Sequence, residues 1–254
     1  MSWAAKRRFI ILLIVGAVVV VFLTIVSVAI FYKTPTCTDG AINQGETGVD
    51  CGGPCSYLCA AQEQPPTVLF TKAIQNGAGR VNVVAEVENK NADAAAKNVH
   101  YRITLYGNGQ SLIQELTGTL DLPPGTRVLV LVPNVPSGKQ TIVNAFLDID
   151  PSSPHWFVMT TDPRIIPTVP NTIQSGSADT PRIEAVLANG SALPLMNVRA
   201  IVFVRDAYKN VIAASETILP LIPAQGNATA TFTWNSAFSS VPASIEVMPI
   251  IPLP

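Results

Sequence analysis

The sequence predicts a mainly β protein carried on a single N-terminal transmembrane helix, with a small disulfide-rich collar followed by two tandem β-sandwiches. Three observations carry this. Residues 9–31, FIILLIVGAVVVVFLTIVSVAIF, hold no charge. All four cysteines fall between positions 37 and 59. Beyond them, apolar and polar residues alternate with period two, and the pattern recurs after 99 residues.

The apolar run is long enough to cross a bilayer core, which needs about 20 residues as helix. Lys6, Arg7 and Arg8 precede it and Lys33 follows. This basic N-terminal flank predicts that the N-terminus stays in the cytoplasm while the rest is extracytoplasmic. A cleaved signal peptide is the competing reading, since Ser27-Val28-Ala29 offers small residues. The run exceeds the roughly 7–15 residues of a signal h-region, which favours an uncleaved anchor. The boundaries read from the sequence are a cytoplasmic tail over 1–8, a transmembrane helix over 9–32, a cysteine-rich segment with linker over 33–66, and sandwiches over 67–162 and 163–254.

The exported part carries 12 of the 16 Lys+Arg and all 17 Asp+Glu, a formal charge of −5. With no basic stripe, nucleic acid is not an expected partner. Charged residues make up only 13% of the chain, while Val, Ile and Thr are plentiful. Branched side chains suit a pleated, half-buried surface.

In an exported chain, Cys37, Cys51, Cys55 and Cys59 read as two disulfides, with three pairings open. A four-thiolate zinc site is the alternative. Between them, Asp39, Asn43, Glu46 and Asp50 alternate with glycines. Their oxygens could converge on Ca²⁺, although the spacing is not that of an EF-hand. Otherwise Asp and Asn make local turns with their own backbone. So small a segment cannot build a core, and disulfides are its main source of order.

After a linker over 60–66, Val81, Val83, Ala85 and Val87 share one strand face, with Asn82, Glu86 and Glu88 opposite on a face expected to be solvated. Val99, Tyr101, Ile103 and Leu105 follow, and Gly107-Asn108-Gly109 makes a break before residues 111–117. Asn98-Val99 aligns with Asn197-Val198, and Leu120 with Leu219. In the second copy, Val198, Ala200, Val202 and Val204 share a face while Arg199 and Arg205 point away. Ala228, Ala230, Phe232 and Trp234 alternate with threonines. A repeat of this length means a duplicated domain, and each copy has the size of an immunoglobulin-like sandwich. Each is expected to fold by itself. Residues 162–180, with Pro163, Pro167, Pro170 and Ser175-Gly176-Ser177, read as a second linker, with 164–169 as a candidate first strand of the second sandwich.

No catalytic constellation is legible. His100 is placed mid-strand beside Arg102 and His155 in a Pro-rich turn; neither has a triad or metal-ligand neighbour. Asp148 and Asp150 read as a solvated strand end, and Trp156, Phe157 and Trp234 as core or junction aromatics. Asn189-Gly190-Ser191 and Asn227-Ala228-Thr229 match the N-glycosylation sequon.

The string CxDGxxNQGETGVDCGGPC, at residues 37–55, resembles a cysteine motif that recurs in exported and surface-anchored bacterial proteins. The resemblance implies an extracytoplasmic location and a bacterial envelope, with no activity attached. Residues 100–109, HYRITLYGNG, resemble the strand and turn of FxLYD-type modules, with Gly107 departing from Asp. Phe203-Val204-Arg205-Asp206 keeps only the Asp, and Asn89 and Asn189 sit where such sandwiches carry an Asn-rich loop. This resemblance implies fold and not chemistry. The expected role is therefore that of a non-enzymatic structural or protein-interaction protein. Its partners are the lipid bilayer and an unknown envelope protein. The alternatives are an accessory subunit of a secretion or pilus machine, and a glycan- or peptide-binding surface module.

Overall fold

The computed structural model describes residues 3–32, 36–77, 79–138 and 140–254. Lys33, expected to flank the membrane helix, lies outside the described residues. The chain divides into two compact units, residues 1–59 and 60–254.

In the first unit, helix α1 spans Trp3–Phe31. It begins before the uncharged run, so Lys6, Arg7 and Arg8 lie on its first turns. Within it, Lys6–Ile30 is long and apolar enough to cross a membrane. At 1.5 Å per residue, 25 residues extend about 38 Å, more than the roughly 30 Å hydrocarbon core. Nearly all its leucines, isoleucines and valines are exposed, as suits a helix with lipid for a neighbour. Thr24 Oγ1 donates to Val20 O at 2.8 Å, so the hydroxyl is satisfied within the helix.

The rest of this unit is a collar of turns held by Cys37–Cys55 and Cys51–Cys59. Of the three pairings open in the sequence, the structure has first-to-third and second-to-fourth. Two glycines are dictated by the knot. At Gly53, φ is +56° and an added Cβ would lie 2.2 Å from Gly45 O. At Gly48 it would fall 2.8–2.9 Å from the sulfurs of Cys59 and Cys51.

Among the described residues, the second unit has thirteen strands, all paired antiparallel, in four sheets consistent with β-sandwiches. In its first half, β1 (Thr67–Gln75), β2 (Arg80–Glu88) and β5 (Arg127–Pro136) form one sheet in the order β1-β2-β5. Facing it are β3 (Ala94–Tyr106), β4 (Leu112–Leu122) and β6 (Asn144–Ile149), ordered β4-β3-β6, with β7 (Phe157–Val158) on the start of β3. The second half has β8 (Thr168–Gly176), β9 (Pro181–Ala188) and β12 (Asn227–Thr233), ordered β12-β9-β8. Its other sheet is β10 (Leu195–Arg205), β11 (Val211–Ile222) and β13 (Ser244–Ile250), ordered β11-β10-β13.

β8 corrects the linker reading. It begins at Thr168 and runs through Pro170 and Ser175-Gly176, which the sequence placed in a linker or a shorter strand. Proline is tolerated because β8 is an edge strand, and its register shifts between Thr168 and Asn171, around Pro170.

A buried asparagine recurs in both halves. Asn89 and Asn189 are 1% and 2% exposed. Asn89 Nδ2 donates to Ala94 O at 2.8 Å and Pro123 O at 2.7 Å. Asn189 Nδ2 donates to Leu193 O at 2.8 Å and Pro223 O at 3.0 Å. Each thereby pins the β2–β3 or β9–β10 loop to the turn that follows β4 or β11. The offset is 100 residues at the asparagines and their prolines but 99 between Asn98 and Asn197. The β9–β10 loop is one residue shorter, and β11 makes up the difference before Ile222. In β3 two residues oppose one between the Ala96–Leu122 and Val99–Leu120 pairs, a bulge. In β10 the extra residue of β11 restores even pairing across Met196–Leu221 and Val198–Leu219.

Within the second half, Ile183, Ala185 and Leu187 pack with Val198, Ala200, Val202 and Phe232. The two halves also share a core. Val84, Leu129 and Leu131 from the first cluster with Ile201, Phe203, Val211 and Ala214 from the second, and Phe70 and Met248 pack at the margin. The β2 face expected to be solvated is therefore buried, with Asn82 and Glu86 each 7% exposed and Val84 fully covered. Their polar groups have partners: Asn82 Nδ2 donates to Ala214 O at 3.0 Å, and Glu86 pairs with Arg205 at 2.8 Å. The Arg205 guanidinium also lies 5.3 Å from the Phe70 ring and 5.8 Å from that of Phe203.

Candidate functional site

The collar uses its carboxylates for its own backbone. Asp50 accepts from the amides of Asp39 at 2.9 Å and Gly40 at 3.0 Å. Asp39 accepts from the Ala41 amide and from Asn43 Nδ2, both at 2.9 Å. Glu46, 8% exposed, receives the Asp50 amide at 3.3 Å, and its Oε1 lies 3.0 Å from Cys55 Sγ. The four candidate calcium ligands thus adjoin one another in a turn network. Asn43 Oδ1 is buried without a hydrogen-bond partner. Among the described residues, the one group of three His, Cys, Asp or Glu side chains with ligand atoms within 4.8 Å of one another is Cys37, Glu46 and Cys55. Both cysteines there are in the Cys37–Cys55 disulfide, so neither sulfur is a thiolate ligand.

His100 and His155 are exposed and lie on separate segments. Asp148 is also exposed and faces Arg102 across the β3–β6 ladder. Hydrogen bonds from Ser152 hold the exposed Asp150 carboxyl below its usual range. Trp156 is buried, and Trp234 packs edge-on against Phe238 at 5.1 Å. Of the two sequons, Asn189 spends its amide nitrogen inside the fold, whereas Asn227 is exposed at the start of edge strand β12.

A concavity lies between the two halves, and sequence reasoning missed it. It encloses about 570 Å³, and residues 127–131 of β5 and 246–252 of β13 and its tail form two of its walls. Tyr101, Thr119 and Arg199 stand around it. Tyr101 lies flat across Gly118, its cross-strand partner, where an added Cβ would come within 2.4 Å of the phenol oxygen. Burial raises the Tyr101 pKa, and the Arg199 charge partly offsets this. The floor is fastened by Arg164, whose guanidinium grips Asp162 at 2.6 Å and donates to Ile251 O at 2.7 Å. This pairing holds the Asp162 carboxyl below its usual range. Past β13 the chain crosses to the first half, where the Leu253 amide donates to Asp121 at 2.9 Å and its side chain packs with Ala95 and Met159. The available signal was the run Ala200–Val204, apolar on both faces of a strand otherwise read as one-sided.

These features define a mainly β chain with one membrane-length helix and two disulfides. No known protein family matches the sequence, and no curated protein matches it. Among solved structures, the chain has a likeness to a transglutaminase of red sea bream. The identity is 12% and the TM-score 0.25, over 72% of this chain and 29% of the transglutaminase. So low a score supports no conclusion about fold or activity.

Proposed function

We propose that this is a membrane-anchored, extracytoplasmic protein-interaction protein of the bacterial cell envelope, without enzymatic activity. Its N-terminus is cytoplasmic, and its two halves are duplicated immunoglobulin-like modules that present surface to a partner. The observation that carries this reading is a disulfide-closed segment within the same unit as a membrane-length apolar helix. Disulfides persist in oxidising compartments, which supports a collar outside the cytoplasm. The recurring asparagine clamp and strand orders that match apart from β7 support the duplication. The test is protease treatment of intact spheroplasts, followed by crosslinking and pull-down from native membranes. Digestion beyond the helix and a recurrent crosslinked protein are expected; full protection of residues 60–254 would overturn the topology.

An accessory subunit of an envelope secretion or pilus machine would give the same topology. A fixed stoichiometry with the machine's membrane components in mild detergent would distinguish it. A surface module for peptides or glycans is the second reading, and the cleft between the halves favours its peptide form.

A further inference from the structure

We infer that the cleft between the two halves binds an extended peptide segment of a partner protein by strand addition, an inference that rests on the docking role proposed above. β5 is hydrogen-bonded only to β2, and β13 only to β10, so each ends its sheet. Both open strands line the same cleft. When a strand lines a cavity with one face, every second residue reaches it, because successive side chains point opposite ways. Here residues 127–131 and 246–252 line it without a gap. The main-chain edges themselves therefore form the walls.

The β5 edge is kept open, whereas β13 carries Glu246 and Pro249 and its tail carries Pro252, so strand addition is to β5. Sheet edges are commonly blunted by proline, charge or a bulge. Residues 127–131, RVLVL, contain no proline, and their single charge is at the end. Side-chain donors already stand in for absent strand amides. Arg199 Nη2 donates to Leu131 O at 3.3 Å, and Arg164 Nη1 serves Ile251 O. An incoming strand would supply such donors along its length. Five residues of β extend about 16 Å at roughly 3.3 Å each. A volume of about 570 Å³ falls in the range of ligand-holding clefts, about 300–1,000 Å³.

The chemistry of the lip selects among peptides. The Arg127 and Arg199 side chains are 60% and 41% exposed. Arg127 pairs with Glu88 through Nε and with Glu86 through Nη1. Arg199 pairs with Glu216 through Nε and Nη2. The remaining donors of these arginines suit a carboxylate, since the acidic residues that also line the cleft are already engaged, Asp121 by the Asn98 and Leu253 amides and Glu246 by Arg205. Leu129, Leu131 and Met248 supply the apolar wall. The occupant is therefore an extended segment with alternate apolar residues and a carboxylate that meets these arginines.

The test uses the full chain in lipid nanodiscs and a phage-displayed library of random nonapeptides. Enriched peptides, resynthesised with a fluorescent label, are the probes. They should alternate apolar residues and include Asp or Glu. N-methylation of alternate amides should weaken binding at least tenfold, since strand addition depends on main-chain bonds. Thr119→Trp, which fills the cleft from an exposed position, should do the same while keeping the thermal transition. No enrichment, or binding indifferent to N-methylation, would overturn the inference using the wild-type chain alone. Peptides unaffected by Thr119→Trp would refute the cleft but leave the docking role standing. Peptides held in the cleft, with no protein crosslinked in native membranes, would refute the docking role and leave the cleft.

Discussion

Phe203 tests whether the two halves are one folding unit. It is fully buried, packs in the shared layer with Val84 and Leu131 of the first half, and meets the Phe70 ring at a centroid distance of 6.4 Å. Phe203→Ala removes apolar surface from both halves and leaves a cavity between them. Such truncations cost about 3–5 kcal/mol. For a unit of this size that corresponds to a Tm lowered by about 6–20 °C. A Phe70–Phe203 double-mutant cycle should recover about 0.5–1.5 kcal/mol of coupling, as for aromatic pairs at this separation. The chain supplies its own probes. Trp156 lies in the first half and Trp234 in the second, so two variants that each retain one of them, with Trp3 replaced by Phe, report the halves separately in urea. In the parent protein both signals should share one midpoint. In Phe203→Ala they should separate, whereas Phe232→Ala, confined to the core of the second half, should lower stability and preserve coincidence. Distinct midpoints in the parent, or a Phe203→Ala cost below about 1 kcal/mol, would refute the shared core.

Three further outcomes are expected. Non-reducing peptide mapping should find Cys37 linked to Cys55 and Cys51 to Cys59; from the enclosed loops, chain entropy gives about 3 and about 2.5 kcal/mol to the collar, and any other pairing would contradict the structure. Asn89→Ala and Asn189→Ala should each cost about 2–4 kcal/mol by urea denaturation, because buried carbonyls lose their donors; a cost under about 1 kcal/mol would show the clamps to be dispensable. Asp162 has a depressed folded-state pKa, so its stabilisation is complete above the unfolded carboxylate value of about 3.9 and is lost as pH falls through the folded value. Asp162→Asn should flatten the stability profile in that acidic window, and an unchanged profile would exclude the Arg164 pairing as a source of acid sensitivity.

Much was decided locally and was legible in the chain. An uncharged 23-residue run can only be helix where water is absent, and cysteines clustered within so short a segment can meet their partners with little help. Period-two alternation placed β2, β3, β10 and β12, because a strand with one dry face must write that face into every second residue. Asn89 and Asn189 were visible as a repeated position, though not as clamps. Which cysteines pair was not legible, since all three connectivities satisfy the same spacing. The cleft was not legible either, because its walls come from residues about 120 positions apart, and an open edge is defined by the strand that fails to pair with it. The face of β2 shows the limit most clearly. Asn82 and Glu86 look like solvent residues, and alternation assigned them so. Burial became possible only because the second half brings Ala214 O to one and Arg205 to the other. Polarity in a sequence reports that a side chain needs a partner; whether the partner is water or a distant part of the same chain is settled by tertiary packing.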